Sequence, residues 1–295
     1  MQSIPIRSGS VGVIVLNFKK HLLTLQCIRS LKTQTYTDLE ILVVDNASQD
    51  GSVEAFCAMY PKLQLFESSF NRGYAGGNNI GIRRCLEEGK EFIWVLNNDT
   101  VAPPDALLRL VEALRANPQW GMAGSQIKSL EKPHSTVQMG GGRISLWSGL
   151  NRAIVNPAKL PGLNYLTGCS LLIRTEALGK VGLMDENYFH YWEDVDLSFR
   201  MRKAGWELGY VPDSIVYHHE GGSLATNSPR AAFFFSRSIV RFFLRNSPHR
   251  ISPILISTCL RLGKAVIHLR FNLARSVLRG VWQGIRRYPQ PYTNE

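Results

Sequence analysis

Residues 92–99 of the chain read Phe-Ile-Trp-Val-Leu-Asn-Asn-Asp, five apolar residues followed at once by three polar ones. An uninterrupted apolar run of this length predicts a β-strand that is buried on both faces. Such strands are typical of parallel sheets covered by helices on either side, and ligands of these sheets bind beyond the carboxyl ends of the strands. The stretch therefore predicts both an α/β fold and a polar site at one edge of its sheet.

Predicted strands and helices alternate along the sequence around this stretch. Apolar runs predict earlier strands at Val11–Leu16, Leu39–Val44 and Leu63–Glu67, and helical spacing predicts helices between them. The predicted helices are His21–Lys32, one beginning near Val53, Asn79–Glu88 and Asp194–Ala204; Asn164–Ile173 is a further predicted strand, and Ser125–Pro161 a region of irregular hairpins or a mobile loop. This order indicates a mostly parallel central sheet flanked by helices.

The positive charge of the chain is concentrated near its C-terminus. Residues 225–295 contain 12 Lys and Arg residues and one acidic residue, which accounts for the whole net charge of +11. We therefore predict a neutral α/β domain over residues 1–224 and a basic helical region over residues 225–295. Arg237, Arg241 and Arg245 recur every fourth residue, which is typical of an amphipathic helix on an anionic membrane surface. A solvated helix face and a docked C-terminal helix are the alternatives.

Composition disfavours several classes of protein. The five cysteines are scattered without a CxxC pair, so neither a disulfide framework nor a zinc site is expected. The first ten residues lack the apolar core of a signal peptide, and no window reaches the roughly 20 apolar residues of a spanning helix. We expect a cytoplasmic protein, peripheral on the inner face of the cell membrane. Because no nucleic-acid-binding motif accompanies the basic tail, nucleic acid is not an expected partner.

The Asn-Asn-Asp end of the predicted strand is a candidate metal site. Mg²⁺ and Mn²⁺ take oxygen ligands and share them with substrate phosphates, so the carboxylate of Asp99 is a suitable ligand. His218, at the end of another apolar run, is a candidate second ligand and is preferred to its neighbour His219. A capped turn leading into Pro103 is the structural alternative.

Two other polar segments are candidate nucleotide contacts. Asp45 and Asn46 follow the second predicted strand, and their donor and acceptor groups suit the edge of a nucleobase. In the segment Asn71–Asn79, glycines such as Gly73 let the backbone approach a ligand, and Arg72 suits a phosphate. Loop and cap chemistry in the first segment, and a tight loop without a ligand in the second, are the structural alternatives.

Residues 188–194 read Tyr-Phe-His-Tyr-Trp-Glu-Asp, a run of aromatic residues followed by acids. Aromatic faces pack against sugar rings, so Trp192 is expected in the wall of a sugar site. A carboxylate such as Glu193 or Asp194 can take a proton from an attacking hydroxyl group. Acidic residues are also favoured at the N-terminus of a helix, which is the structural alternative.

Taken together and in this order, these segments resemble the family 2 glycosyltransferases of the GT-A fold, in particular the bacterial rhamnosyltransferase-type members that build cell-surface polysaccharides. The similarity extends over roughly Val11–Ser223. The matching segments are residues 13–18, 43–48, 71–79, 97–100, 168–170, 182–186, 192–197 and 218–223. Each motif is short, and the family is indicated by their common order and spacing.

The resemblance implies a role for each matched position. Asp45, with Asn46 and Asn17, would hold the nucleobase and ribose of a nucleotide-diphosphate sugar. Asp99 would be the acid of the metal motif, with His218 as a further ligand and Mn²⁺ or Mg²⁺ as the cofactor. The first position of that motif is here Asn97, an amide instead of a carboxylate, which predicts weaker metal binding.

The chemical step implied by the resemblance is an inverting transfer. Asp194 would be the catalytic base, with Glu193 and Trp192 beside it toward the donor sugar or the acceptor. The first choice of donor is dTDP-L-rhamnose, and the acceptor would be a lipid-linked or cell-surface polysaccharide. The alternatives are a nucleotide-binding scaffold that has lost catalysis and, less favoured, a nucleic-acid-binding protein that acts through its basic tail.

Overall fold

The computed structural model describes residues 6–219 and 228–288, and β-sheet forms the centre of the described part. The strands are β1 (Arg7–Asn17), β2 (Leu39–Asp45), β3 (Gln64–Glu67), β4 (Lys90–Asn97), β5 (Thr100–Val101), β6 (Trp120–Ser129), β7 (Thr136–Met139), β8 (Gly141–Ile144), β9 (Asn151–Ala153), β10 (Tyr165–Leu166), β11 (Ser170–Arg174) and β12 (Glu207–His218). Among the described residues, β8, β9 and β10 form a small sheet, and the other nine strands form the main sheet.

The strand order of the main sheet brings the predicted polar segments to one edge. The order is β3-β2-β1-β4-β11-β6-β12-β5, with β7 paired to β6. Strands β3, β2, β1 and β4 are parallel; Asn17 lies opposite Asp45 in β2, and Leu16 lies opposite Asn97 in β4. The predicted fold class, a mostly parallel sheet flanked by helices, is confirmed.

Helices cover both faces of the main sheet. They are α1 (His21–Leu31), α2 (Ser52–Met59), α3 (Gly73–Glu87), α4 (Ala106–Ala116), α5 (Thr175–Val181) and α6 (Glu193–Lys203). The helices α7 (Pro229–Asn246), α8 (Ile251–Ile267) and α9 (Phe271–Arg287) follow them in the chain. Along β4, Phe92, Trp94 and Leu96 pack in a core with α1, α2 and α4, whereas Ile93 and Val95 pack with α3, α5 and α6. Both faces of the strand are therefore buried, which explains its continuous apolar run.

Helix α3 begins at Gly73, earlier than the predicted start at Asn79. Its glycines permit close packing on the sheet, since a Cβ at Gly81 would lie 2.8 Å from the Ile14 side chain. The glycine-rich segment was therefore only partly a loop, and several of its glycines contact protein instead of lining a ligand loop.

The region predicted to be irregular or mobile, Ser125–Pro161, contains regular structure. It holds the end of β6, the strands β7, β8 and β9, and the start of a 3₁₀ helix at Pro157–Gly162. The predicted single strand Asn164–Ile173 is instead divided: β10 belongs to the small sheet and β11 to the main sheet. Short strands that change sheets lack the periodicity of a long strand, which is why the sequence pattern missed them.

The C-terminal helices α7, α8 and α9 form an appendage on the α/β body. Helix α7 contributes Val240, Phe242 and Phe243 to a buried cluster that also contains Tyr188 and Trp192 of the body. In the described ranges, no helix is both long and apolar enough to cross a membrane. The predicted boundary near residue 224 falls outside the described residues.

The arginines of α7 correct the prediction made from their spacing. Arg237 and Arg241 are only 6% and 8% exposed. Arg241 and Arg245 both pair with the carboxylate of Asp185, at 2.9 and 3.0 Å, and Arg245 lies 3.6 Å from the buried Asp196. Although burial opposes it, the Arg241 guanidinium holds the pKa of Asp185 below its ordinary value. This side of α7 therefore faces acidic groups of the protein and not a membrane, as in the docked-helix alternative.

Candidate active site

A cavity of about 160 Å³ lies at the carboxyl ends of β1, β2 and β4. Its walls come from the strand ends, the start of α3, the segment before α6 and one side chain of α7. The lining residues are Leu16, Phe18, Asn46, Asn71, Gly73, Tyr74, Asn97, Asn98, Phe189, His190 and Arg230. The cavity thus lies where ligands of open α/β sheets bind.

The end of β2 is a closed network of hydrogen bonds. Asp45 Oδ1 accepts from Asn17 Nδ2 at 2.7 Å and from Ser48 Oγ at 2.6 Å, and Asp45 Oδ2 accepts from the Ser48 N–H at 2.9 Å. Asn17 Oδ1 in turn accepts from the Thr24 hydroxyl at 2.7 Å. Asn17 is fully buried and Asp45 is 3% exposed. Asn17 therefore lies behind Asp45 and orients its carboxylate, and contact of either residue with a nucleoside stays a prediction.

Asn46 joins the end of β2 to the start of α3. Its Nδ2 donates to the Gly73 carbonyl at 3.0 Å, and its Oδ1 accepts from the Arg72 N–H at 2.9 Å. Gly73 has a φ of +71°, and a Cβ there would lie 2.0 Å from the Phe189 carbonyl oxygen, so only glycine fits this contact. The Arg72 guanidinium packs on the Phe70 ring, 4.4 Å from its centre. Contact of Arg72 with a phosphate therefore stays a prediction.

The ends of β4 and β12 bring Asp99 and His218 together. His218 Nε2 lies 3.2 Å from Asp99 Oδ1, yet this buried oxygen has no hydrogen bond to any described residue. The ring nitrogens of His219 instead lie 3.0 Å from Glu131 and 3.3 Å from Gln26. In the described part of the chain, no cluster of three His, Cys, Asp or Glu side chains could hold a metal. A two-residue site suits a divalent ion that completes its shell with substrate oxygens and water.

Glu193 and Asp194 form a carboxylate pair at the start of α6. Glu193 is 5% exposed, and its Oε2 has no hydrogen-bond partner among the described residues. Burial and the negative charge of Asp194 hold the pKa of Glu193 well above its ordinary value. Burial also raises the pKa of Asp194, although its carboxylate accepts from the N–H groups of Gly168 and Val195, both at 2.8 Å. Such perturbed carboxyl groups are typical of acid–base catalysis.

The backbone before this pair is strained. Tyr191 and Trp192 have φ values of +69° and +74°, and each left-handed non-glycine residue costs about 1–3 kcal/mol. The Trp192 ring is 2% exposed and packs on Phe242 and Phe243 of α7, with centroid distances of 4.9 and 5.5 Å. This placement corrects the expectation that Trp192 lines a sugar site. The strained turn directs the Trp192 ring to the appendage, whereas Phe189 and His190 of the same aromatic run line the cavity.

Tyr74 lines the cavity and was not predicted as a site residue. Its hydroxyl donates to the Gly168 carbonyl at 2.6 Å and lies 3.1 Å from Asn97 Oδ1. Burial and the charges of Glu193 and Asp194 hold its pKa well above the ordinary value. Tyr74 is thus a neutral group that connects the end of β4 to the carboxylate pair. Tyr74 lies within the glycine-rich motif, in which only the glycines and Arg72 were predicted to contact a ligand.

His190 and Arg230 are two further cavity residues that sequence reasoning missed. Burial and the nearby Arg230 lower the pKa of His190 to about 4, so the imidazole is neutral at physiological pH. His190 belongs to the aromatic run that was predicted to line a sugar site. Arg230 lies in the first turn of α7, and no local motif in the basic tail distinguishes it from the other arginines.

Comparison with known proteins gives a consistent result. The sequence model of Glycosyl transferase family 2 matches residues 10–182, more than half of the chain. An N-acetylglucosaminyl-diphospho-decaprenol L-rhamnosyltransferase of Mycobacterium tuberculosis is 29% identical over 276 residues, covering 80% of this chain and 90% of the relative. A low-salt glycan biosynthesis hexosyltransferase of Haloferax volcanii is 25% identical over 215 residues, covering 71% of this chain and 67% of the relative.

Solved structures share the fold. A mannosyltransferase from Pyrobaculum calidifontis, in complex with GDP-Man and Mn²⁺, aligns over 98% of this chain and 79% of its own, with a TM-score of 0.57 and 19% identity. The transferase GalNAc-T7, with UDP, GalNAc and Mn²⁺, aligns over 95% of this chain and 56% of its own, with a TM-score of 0.65 and 14% identity. With this fold, this crevice and the family match, the chain belongs to glycosyl transferase family 2 and is a glycosyltransferase of the GT-A type that uses a nucleotide-sugar donor.

Proposed function

We propose that the chain is an inverting, metal-dependent hexosyltransferase that moves L-rhamnose from dTDP-rhamnose to a lipid-linked glycan. The observation that carries this proposal is the arrangement of one crevice. Asn46, Asn97 and Tyr74 line it. The negative charges of Glu193, Asp194 and Asp99 act on the Tyr74 hydroxyl, so these carboxylates lie near the same wall. The mycobacterial relative, named for transfer of L-rhamnose to a diphospho-decaprenol-linked sugar, supports the choice of donor and acceptor.

Asp194 is the catalytic base in this proposal. Its carboxylate takes the proton of an acceptor hydroxyl while the hydroxyl oxygen bonds to the anomeric carbon and the bond from that carbon to the diphosphate breaks. One such displacement inverts the configuration of the anomeric carbon. The N–H groups of Gly168 and Val195 fix the carboxylate in place, and the raised pKa improves it as a base at neutral pH. Burial and the charge of Asp194 raise the pKa of Glu193 well above its ordinary value, which favours a hydrogen bond from this carboxyl group to a sugar oxygen.

Asp99 and His218 would hold Mn²⁺ or Mg²⁺. Asp99 Oδ1, which accepts no hydrogen bond from the described residues, and His218 Nε2, which lies 3.2 Å from it, fit such an ion. When bound, the ion supplies positive charge at the diphosphate leaving group. Asn97 lies at the same strand end, where its Oδ1 is 3.1 Å from the Tyr74 hydroxyl. Its amide brings no negative charge, so weak metal affinity in the absence of nucleotide is expected.

The appendage supports peripheral binding to an anionic membrane through α9, in place of the α7 face first predicted. Phe271, Leu278, Trp282 and Ile285 recur at helical spacing along α9 and are 53–64% exposed. The exposed arginines Arg275, Arg279 and Arg286 lie along the edge of this apolar stripe. An exposed apolar stripe with basic residues beside it is the pattern of a helix that lies in a membrane interface.

Vesicle sedimentation tests this part of the proposal. The full chain should bind vesicles that contain phosphatidylglycerol and should release them as salt is raised. Replacing Trp282 with Ser should weaken binding at all salt concentrations. Equal binding to neutral and anionic vesicles, or no effect of the Trp282 change, contradicts the proposed membrane face.

Calorimetric titration of dTDP and UDP, each with and without Mn²⁺, tests the donor site. We expect metal-dependent binding, with dTDP preferred. Incubation of dTDP-rhamnose with a diphosphoprenyl-linked N-acetylglucosamine acceptor then tests transfer, and the anomeric configuration of the product tests inversion. Nucleotide binding without turnover of any donor would favour the scaffold alternative.

A further inference from the structure

A groove of about 410 Å³ runs between α7 and α9, next to the donor cavity. Arg230 lines both the cavity and the groove, so the groove borders the cavity at this side chain. The groove is also lined by Phe233 and Phe234 of α7 and by Arg279 and Trp282 of α9. It therefore combines two guanidinium groups with three aromatic rings.

The positive charges of the groove have no acidic partner among the residues that the structure describes. Helices α7, α8 and α9 contain no Asp or Glu, and in the described part of the chain neither Arg230 nor Arg279 pairs with a carboxylate. Arg237 and Arg241 of the same helix are buried, and Arg241 pairs with Asp185. On helix α7, Arg241 is thus neutralised by a carboxylate of the body, whereas Arg230 is available to an external anion.

The start of α7 adds to this positive potential. The Ser228 side chain accepts from the Ala231 N–H, and Pro229 occupies the first turn, so the 18-residue helix begins just before Arg230. The N-terminus of a helix carries partial positive charge and favours anions. At its other wall the groove includes Trp282, which is 59% exposed and belongs to the apolar stripe of α9. The groove therefore has the N-terminal turn of α7 on one wall, and on the other wall Arg279 and Trp282 of α9, the helix of the proposed membrane face.

We infer that this groove binds the prenyl diphosphate portion of the acceptor, with Arg230 and Arg279 on the diphosphate and Phe233 and Trp282 on the first part of the prenyl chain. The inference rests on the proposed function, because it locates the acceptor of the same reaction. A sugar attached to a diphosphate held at Arg230 lies at the mouth of the donor cavity. The acceptor then reaches the base from the membrane side, while the nucleotide enters along the sheet edge.

The test uses farnesyl diphosphate, titrated calorimetrically into the full-length protein below its micellar concentration. Farnesol and inorganic pyrophosphate are the comparison ligands. Farnesyl diphosphate should bind more tightly than either, because the groove supplies both cations and aromatic surface. If farnesol binds as tightly as farnesyl diphosphate, the arginines are not part of the site and the inference is overturned.

Arg279→Ala and Arg275→Ala form a matched pair of variants. Both residues are exposed on α9 and each change removes one positive charge, but only Arg279 lines the groove. We expect Arg279→Ala to weaken farnesyl diphosphate binding about tenfold or more, and Arg275→Ala to change it less than about twofold. Equal effects of the two changes would mean general electrostatic attraction and would overturn the inference. A thermal melt of each variant confirms folding.

Binding of dTDP with Mn²⁺ separates this inference from the proposed function. Arg279→Ala should leave dTDP affinity unchanged, whereas Arg230→Ala should weaken both ligands because Arg230 lines both sites. If wild-type protein binds farnesyl diphosphate as expected but no nucleotide, the proposed function fails and the groove stands. If it binds dTDP but Arg279→Ala and Arg275→Ala behave alike, the groove fails and the proposed function stands.

Discussion

The two sides of the crevice differ in how completely their polar groups are bonded. At the end of β2, the Asp45 carboxylate accepts three hydrogen bonds from within the protein. On the opposite side, Asp99 Oδ1 and Glu193 Oε2 are buried without a hydrogen bond from the described residues. A buried oxygen without a hydrogen bond destabilises the folded protein by about 1–3 kcal/mol. Such oxygens are typical of positions where a ligand supplies the missing partner. The β2 side is therefore held by its own hydrogen bonds, whereas the Asp99–Glu193 side has the open acceptors that the proposed metal and reactants require.

The largest expected effect comes from changing Asp194, the proposed base. Asp194→Asn should reduce kcat by about 10²–10⁴-fold, because a general base contributes that much to proton transfer. Binding of dTDP with Mn²⁺ should be unchanged, since Asp194 contacts Gly168 and Val195 and not the end of β2. Turnover equal to wild type in a purified, folded variant would contradict the assignment and would leave Glu193 as the candidate base.

The two histidines at the end of β12 test the metal pair. His218→Ala should weaken Mn²⁺-dependent dTDP binding about tenfold or more, because loss of a group at the metal commonly costs 10–100-fold. His219→Ala is the matched control, since its ring contacts Glu131 and Gln26 instead of Asp99. Titrations of dTDP with and without Mn²⁺ distinguish the two variants. The metal assignment fails if both changes have the same effect or if His219 has the larger one.

The rigid side is tested through stability. Asn17→Ala removes the donor to Asp45 Oδ1 and the acceptor of the Thr24 hydroxyl, both buried. The free energy of unfolding should fall by about 1–3 kcal/mol, the contribution of two buried hydrogen bonds, although Asp45 Oδ1 keeps its bond from Ser48 and the Thr24 hydroxyl keeps its bond to the Lys20 carbonyl. Urea denaturation of Asn272→Ala, which alters an exposed residue of α9, is the control and should differ from wild type by less than about 0.5 kcal/mol. If the two variants unfold alike, the network at β2 is not a stabilising one.

The sequence was most informative where neighbouring strands end. Asp45, Asn97 and Asp99 follow continuous apolar runs, and parallel strands bring such residues to one edge whatever the rest of the chain does. The parts that were missed depend on distant packing. Nothing near Trp192 in the sequence indicates that α7 covers its ring.

The arginines of α7 were likewise misinterpreted because their surroundings depend on distant packing. A spacing of four residues places side chains on one face of a helix, but it does not reveal whether that face meets lipid headgroups or a protein carboxylate. Asp185 is 56 residues from Arg241 in the chain, and only the fold brings them together. The same reasoning applies to Arg230, whose importance comes from its position between two cavities.

The smallest expected effect is a shift of the acid limb of the pH–activity profile toward higher pH. The proposed transfer requires deprotonated Asp194, and burial raises the pKa of this group above its ordinary value. The rate should therefore fall with decreasing pH at values above about 3.9, the pKa of an unperturbed aspartate. The pKa shift of Asp185 has the opposite sign, because the pKa of this group is lowered in the folded protein. The stability that Asp185 contributes is complete above about pH 3.9 and is lost only as pH falls through the lower folded value.

Activity and folding should consequently be lost at different pH values. A profile of kcat/KM against pH, with circular dichroism recorded at each point, measures both in one series. We expect an inactive but folded protein at the acid end of the activity profile, and recovery of activity when the pH is restored. Loss of activity that coincides with unfolding would remove Asp194 as the group that sets the limb. It would also weaken the contrast between a rigid nucleotide side and a reacting side whose carboxyl groups are held in a costly environment.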